Sequence, residues 1–259
     1  MENIIAMILL AVIQGISEWF PISSSGHIVL FSSLFGYVNS VGFDVALHFG
    51  TLMAVFVYFG QDIVNIIEDI LKGKWQSENS KLGFMIIIAS IPAAITGFFL
   101  KSVFESAFSS LLVVAFGFAI TSLLLFIVSF SGKKVGKSVP RQKDSWMIGI
   151  AQAFAILPGI SRSGATISSG LFLGLNEKSA MKFSFLLAIP AVFGASILEL
   201  GNKTLPKEFI IPTLIAFVIG MLTIHLLLKF VSRDRKNFIW FAVYDILIAL
   251  VTFAYVIIR

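Results

Sequence analysis

Apolar residues in this chain run in unbroken blocks rather than in the three-and-four spacing of a helix with one wet face, and the polar residues cluster between the blocks. Six blocks, 43–60, 82–100, 109–130, 179–200, 209–230 and 238–258, reach the roughly 20 residues that an α-helix needs to cross a bilayer. Four others, 3–16, 27–38, 146–157 and 165–175, are shorter. Segments of about 10–14 residues are poor spans and suit helices that enter the membrane and turn back. The short blocks form two pairs, and each pair brackets a Ser-x-Ser-Gly tetrapeptide, at Ser23–Gly26 and at Ser161–Gly164. The pattern predicts an all-α polytopic membrane protein with six transmembrane helices and two re-entrant helical hairpins.

A hairpin that returns to its own side, followed by three spans, makes an odd number of crossings. A second such unit must then start on the opposite side, which predicts an inverted-topology repeat of the kind found in transporters. The chain reads as a single membrane domain, 1–259, built of units 1–130 and 131–259, with the hairpin tips entering from opposite faces and meeting near the bilayer centre. The tetrapeptides Ser90-Ile91-Pro92-Ala93 and Ala188-Ile189-Pro190-Ala191 look alike but fall on the second and fourth spans, which are not repeat partners. They read as separate helix-kink chemistry.

Composition narrows the class further. With 58% hydrophobic and 13% charged residues and a mean hydropathy of +0.97, an ordinary soluble domain is excluded. Glu2 before the first apolar block, without a basic leader, predicts no cleavable signal peptide. The absence of cysteine excludes disulfides and thiolate metal sites. The net charge of +5 is a matter of topology. One side collects Lys72, Lys74, Lys81, Lys133, Lys134, Lys137, Arg141, Lys143, Lys178, Lys229, Arg233, Arg235 and Lys236, and the other has Lys101, Lys203, Lys207 and Arg259. The positive-inside rule puts the first side in the cytoplasm and both termini outside it. The run from Lys133 to Lys143 suits anionic headgroups, and no nucleic-acid partner is expected.

The two tetrapeptides sit in longer matching stretches. Gln14, Ile22, Ser23, Ser25 and Gly26 match Gln152, Ile160, Ser161, Ser163 and Gly164 without a gap, whereas Glu18 faces Ile156, Ser24 faces Arg162 and His27 faces Ala165. A lone Ser-Gly break in a membrane helix is mostly a packing device. Two copies carrying Glu18, His27 and Arg162 are not, because ionisable groups at such depth are rare and functional. Gly26 and Gly164 are read as lying just before helix starts at His27 and Ala165, where free N–H groups and the helix dipole favour an anion. Arg162 adds a planar fork for phosphate oxygens. Ser23, Ser24, Ser25, Ser161, Ser163 and Thr166 add donors to what reads as a phosphate cradle. His27 is a candidate nucleophile or general acid and base. Glu18 is a candidate base, orienting group or ligand of a divalent cation, Mg2+ or Ca2+, with Gln14 one helical turn before it; no organic cofactor is implied. Asp44 and His48 share a helix face, with an interfacial pair as plausible as a cavity role. His225 reads as a helix-contact residue, and Asp245 as a partner for the basic side.

The stretch Gln14-Gly-Ile-Ser-Glu18-Trp-Phe-Pro21-Ile-Ser-Ser-Ser-Gly26-His27 is similar to the first signature of the undecaprenyl-diphosphate phosphatase family, the bacitracin-resistance membrane phosphatases. Leu157-Pro158-Gly159-Ile160-Ser161-Arg162-Ser163-Gly164-Ala165-Thr166 resembles its second signature, and the likeness covers essentially the whole chain. The resemblance implies a bacterial plasma-membrane enzyme that hydrolyses undecaprenyl diphosphate to undecaprenyl phosphate and inorganic phosphate, recycling a cell-wall lipid carrier. It implies a site opening toward the outer face. Glu18 matches the family's invariant acid, Ser24 and His27 its hydroxyl and imidazole, and Arg162 its diphosphate-binding arginine. Gln14 stands where many members carry a second glutamate, which weakens any metal shared by two carboxylates. His48 stands where others often carry glutamine.

Two functions from different classes fit these residues. Hydrolysis of a polyprenyl diphosphate lipid leads, with Ser24 or His27 as nucleophile candidate and water left open, Arg162 as clamp and Glu18 as base or cation ligand. A transporter or flippase for an anionic prenyl-phosphate lipid is the alternative, since broken helices in inverted repeats also serve alternating access. Glu18 and His27 separate the two, because translocation needs only the anion cradle and hydrolysis also needs proton transfer. A homodimer is left open by the sequence.

Overall fold

The computed structural model describes residues 2–38, 40–132, 136–200 and 205–258; Lys133, Lys134, Lys203 and Arg259 lie outside them. Twelve α-helices account for most of these residues. Six are long and apolar enough to span a membrane: α3 (Val41–Tyr58), α5 (Glu78–Phe99), α7 (Leu111–Phe130), α10 (Glu177–Leu200), α11 (Ile210–Val231) and α12 (Phe238–Ile258). The others are α1 (Glu2–Ser17), α2 (Ser24–Phe35), α4 (Gly60–Leu71), α6 (Lys101–Phe108), α8 (Gln142–Phe154) and α9 (Arg162–Phe172). At 1.5 Å per residue, α2, α8 and α9 are only about 16–20 Å long, well short of a hydrocarbon core of about 30 Å.

Local chemistry fixes the boundaries. Ser40, Ser77 and Ser110 cap α3, α5 and α7, each accepting from a backbone N–H in the first turn. Gly36 ends α2 in the left-handed region at φ 63°. At the start of α8 the Asp144 carboxylate accepts from the Arg141 N–H at 3.0 Å and pairs with Lys137 Nζ at 2.8 Å. Burial pushes the Asp144 carboxyl up, but the bonds from Lys137 and Arg141 outweigh it and hold the group below the usual carboxylate range. Pro92 and Pro190 sit inside α5 and α10, and neither ends its helix. The sequence pattern did not foresee α4 and α6. In α4, Ile66 and Ile70 lie against α5 at Gly83, where an added Cβ would come within 2.8 Å of Ile66 Cγ2.

Packing sorts the loops into two ends. At one, Arg235 pairs with Glu177 and bonds Ser131, Ser138 bonds Glu78, and Lys137 meets Gly174 and Leu173. That end gathers the described residues of the basic set. At the other, Phe43, Phe209, Met7 and Leu10 share one apolar cluster with Ile28. Tyr37, just past α2, packs on Phe43 of the same cluster, so the end of α2 lies with Met7 of α1 at this second end. The start of α8 and the end of α9 both meet Lys137 at the basic end. The two pairs touch where Ser163 Oγ donates to Phe20 O at 3.3 Å. Around them α7 packs on α12, α3 on α10, α1 on α11 and α8 on α5. Large apolar side chains such as Phe99, Phe116, Phe126, Leu222 and Leu250 are exposed on the outside, as lipid contact requires.

Candidate active site at the hairpin tips

The helix starts differ from the expected ones. α2 begins at Ser24 and α9 at Arg162, so Gly26 and Gly164 lie inside the first turns, not before them. Their N–H groups are already used by the N-cap hydroxyls, Gly26 N to Ser23 Oγ at 3.3 Å and Gly164 N to Ser161 Oγ at 3.0 Å. Among the described residues, the N–H groups of Ser24, Ser25, Arg162 and Ser163 at the two helix starts have no protein acceptor. The glycines serve close approach instead. A Cβ at Gly26 would fall 2.6 Å from Phe118 Cζ and 2.9 Å from Gly159 Cα, and Gly159 itself presses on α7 at Gly117. Thr121 of α7 fastens the second tip by accepting from Ser161 N at 2.9 Å.

Glu18 follows the end of α1, its N–H donating to Gln14 O at 2.9 Å. Ser24 Oγ donates to Glu18 Oε2 at 2.6 Å, and Gln14 Nε2 donates to the same oxygen at 3.1 Å. Across the tips, Arg162 Nη2 donates to Glu18 Oε1 at 2.6 Å. The guanidinium is held from two further sides: Nη1 donates to Ser184 O at 3.2 Å, and Cζ lies 5.4 Å from the Trp19 ring centroid. Thr166 Oγ1 donates to Arg162 O at 2.8 Å and bonds Ser184 Oγ at 2.6 Å. His48 joins the cluster with Nδ1 at 3.0 Å from Gln14 Nε2 and 3.5 Å from Glu18 Oε2. An amide nitrogen only donates, so Nδ1 accepts and the proton sits on Nε2. The His48 side chain is 35% exposed against 5% for Glu18, which makes it the open edge of the site.

His27 is placed elsewhere. Nδ1 lies 2.8 Å from Ser23 O and therefore donates, leaving Nε2 to accept from Tyr244 OH at 2.6 Å. The ring stacks on Tyr244 and meets Phe118 edge-on. Among the described residues it makes no hydrogen bond to Glu18, Ser24 or Arg162. Ser23 and Ser25 hydroxyls pair at 3.3 Å, mirrored by Ser161 and Ser163 at 3.2 Å. Among the described residues Asp44 makes no hydrogen bond to His48 or to the cluster, and its buried Oδ1 has no partner. Asp245 is fully buried between helices with both oxygens unpartnered, so the expected pairing with the basic side is not made. His225 does make a helix contact, Nδ1 to Tyr58 OH at 3.2 Å.

Trp19, Tyr244, Thr121 and Ser184 complete the site, and the sequence pattern did not single them out. Trp19 carried a signal, since it sits beside Glu18 inside the motif. Tyr244, Thr121 and Ser184 lie in predominantly apolar spans, and nothing in their spacing ties them to the tetrapeptides.

The oxygens of Glu18 and Ser24 suit a hard cation in kind, whereas Gln14 turns its amide nitrogen toward Glu18. Among the described residues no three His, Asp or Glu side chains come together as a ligand set. A divalent ion here would thus be shared between Glu18 and phosphate oxygens of the substrate, where it would neutralise their charge.

A multi-pass helical membrane protein with a buried acid–hydroxyl–guanidinium centre at two facing helix starts is the class that fold and site define. The chain belongs to the family described as bacitracin resistance protein BacA, whose profile matches residues 7–251. It is 42% identical over 249 residues to an undecaprenyl-diphosphatase of Trichlorobacter lovleyi, covering 91% of this chain and 92% of that protein. Against the enzyme of the same name from Caldicellulosiruptor bescii it is 40% identical, with 97% of each chain covered. The undecaprenyl-diphosphatase of Methanococcus vannielii is 35% identical over 258 residues, 99% of this chain and 100% of that protein.

Proposed function

We propose that this chain hydrolyses undecaprenyl diphosphate to undecaprenyl phosphate and inorganic phosphate, the activity that its relatives' names state. The observation that carries the mechanism is the Ser24 hydroxyl donating at 2.6 Å to Glu18, whose other oxygen pairs with Arg162 from the opposite tip. A hydroxyl bonded to a buried carboxylate is a nucleophile beside its base. Arg162 and the free N–H groups of Ser24, Ser25, Arg162 and Ser163 stand where the terminal phosphoryl oxygens would lie. In the first step Ser24 Oγ bonds to the terminal phosphorus and the bridging P–O bond breaks. The hydroxyl proton passes to Glu18 and on to the departing lipid phosphate. Water then attacks the phosphoserine, gives its proton through Glu18 to Ser24 Oγ, and releases inorganic phosphate.

His48 and Gln14 orient Glu18 from the open side, and His27 acts on Ser24 through the Ser23 peptide that it holds. We read α1–α2 and α8–α9 as re-entrant hairpins of an inverted repeat. The exchange of contacts supports this, since α1 packs on α11 as α8 packs on α5, while α3–α10 and α7–α12 pair across the axis. The basic end faces the cytoplasm and the termini lie outside it in the plasma membrane, on the charge bias of the loops. The test is phosphate release from a prenyl diphosphate by purified protein. Release by the wild type that is abolished in Ser24→Ala and persists in His27→Ala at reduced rate supports this assignment. Full release by Ser24→Ala overturns it, and no release by the wild type overturns hydrolysis itself.

A further inference from the structure

At the basic end, well away from the tips in sequence, a cavity of about 410 Å3 opens between the end of α3, the start of α10 and the end of α11. Its polar lining is Lys178 and Lys182 from α10, His225 and Lys229 from α11, Tyr58 from α3, and Ser232 at the α11 cap. Phe59 and Leu228 supply apolar wall. Its volume lies in the range of ligand sites, about 300–1,000 Å3.

The charges in this cavity do not cancel. Lys182 Nζ pairs with Asp62 at 2.5 Å, which neutralises one ammonium. Lys178 and Lys229 have no carboxylate partner among the described residues, although Asp and Glu side chains pair with other lysines and arginines nearby at the same end. Ser232 Oγ is shielded from solvent and has no hydrogen-bond partner. Tyr58 OH and His225 Nδ1 bond each other at 3.2 Å, which uses one ring nitrogen and leaves the other. Two unpaired ammonium groups, a ring nitrogen and an orphan hydroxyl around one cavity are the donor set of an oxyanion. The flanking surface identifies its carrier. Val57 of α3 and Leu222, Leu226 and Phe230 of α11 are 40–57% exposed, a lipid-facing strip beside the cavity. A free anion has no use for that strip, but the chains of a lipid do. Basic pockets between spanning helices are a recognised way to hold such headgroups.

We propose that this cavity is a second lipid site, holding the phosphate headgroup of an anionic phospholipid from the leaflet at the basic end. It is separate from the diphosphate site and does not depend on hydrolysis. The probe is phosphatidylglycerol, titrated against phosphatidylcholine onto the purified full chain and counted by native mass spectrometry, with inorganic phosphate as competitor. The wild type is expected to retain phosphatidylglycerol in preference to phosphatidylcholine. The double substitution Lys178→Gln with Lys229→Gln is expected to weaken that retention by about 30-fold, the effect of two lysines at about 1 kcal/mol each. Lys178→Arg with Lys229→Arg keeps the charge and is expected to keep the lipid, which separates loss of the site from loss of fold. Equal retention in wild type and the glutamine variant overturns the proposal. Displacement of the lipid by equimolar inorganic phosphate overturns the lipid assignment and makes the cavity a site for the free anion.

Discussion

Ser23 and Ser161 stand at the same step of two matching tips, and the backbone treats them differently. Both cap a helix through Oγ, yet φ is 66° at Ser23 and −72° at Ser161. Ser23 is the one positive-φ residue other than glycine among those described, a conformation that costs of order 1–3 kcal/mol. The strained cap presents Ser24 to Glu18, and His27 holds its carbonyl. The relaxed cap presents Arg162 and is fastened to α7 by Thr121. The two matching stretches supply two helix starts. Under the proposed mechanism, the positions that differ, Ser24 against Arg162 and Glu18 against Ile156, make one tip reactive and the other a clamp. Strain is concentrated in the reactive one.

The sharpest way to break this division is at its clamp. Arg162→Ala removes the guanidinium that sits between Glu18, Ser184 and Trp19. A loss of about 10³-fold or more in kcat for prenyl diphosphate hydrolysis is expected, the scale of an arginine stabilising phosphoryl transfer. Arg162→Lys keeps charge but not the fork and is expected to recover little. Full activity in Arg162→Lys would show that charge alone suffices. Next comes Glu18→Gln, which keeps the shape but cannot take the Ser24 proton. A fall of about 10²–10⁴-fold, the scale of general base catalysis, is expected with little change in lipid binding.

These two residues were legible in the chain because they break a repeat. Buried charge inside an apolar block is conspicuous, and so is its absence at the matching position of the other copy. Block length likewise carried the six spans, since only about 20 apolar residues satisfy both the backbone and the bilayer. The supporting shell was not legible. Thr121, Ser184 and Tyr244 reach the tips from α7, α10 and α12, and nothing in a span says which of its polar residues faces a distant turn. The sequence places the helix starts at His27 and Ala165, just after the glycines, three residues later than they are, because Gly26 and Gly164 are small for the sake of Phe118, Gly159 and Ser161 rather than to precede a helix. α4 was missed because its apolar side packs on α5 while its charged side stays wet, a pattern too short to read beside the longer blocks.

The strain itself can be removed. Ser23→Gly relieves the positive φ and, as an N-cap, costs only a few tenths of a kcal/mol. Thermal unfolding is expected to rise by the equivalent of about 1 kcal/mol while kcat falls, because the relaxed tip no longer holds Ser24 in place. Ser161→Gly starts from an ordinary φ and is expected to lower stability slightly. If both substitutions shift stability in the same direction, the two caps are equivalent and the contrast drawn from φ is wrong.

The smallest effect is expected at the two glutamines in matching positions of the two stretches. Gln14 bonds Glu18 and His48, whereas Gln152, just as buried at its matching place in α8, has no partner for either amide atom. An unsatisfied buried amide costs about 1–3 kcal/mol, and an apolar side chain of similar size removes that cost. Gln152→Leu is therefore expected to leave turnover near wild type and to raise the unfolding temperature in detergent. Gln14→Leu strips the base of a donor and is expected to lower kcat several-fold without a gain in stability. The reverse outcome, an inactive Gln152→Leu and an active Gln14→Leu, would move the chemistry to the second tip, for then the glutamine that matters would be the one a turn before Ile156 rather than the one a turn before Glu18.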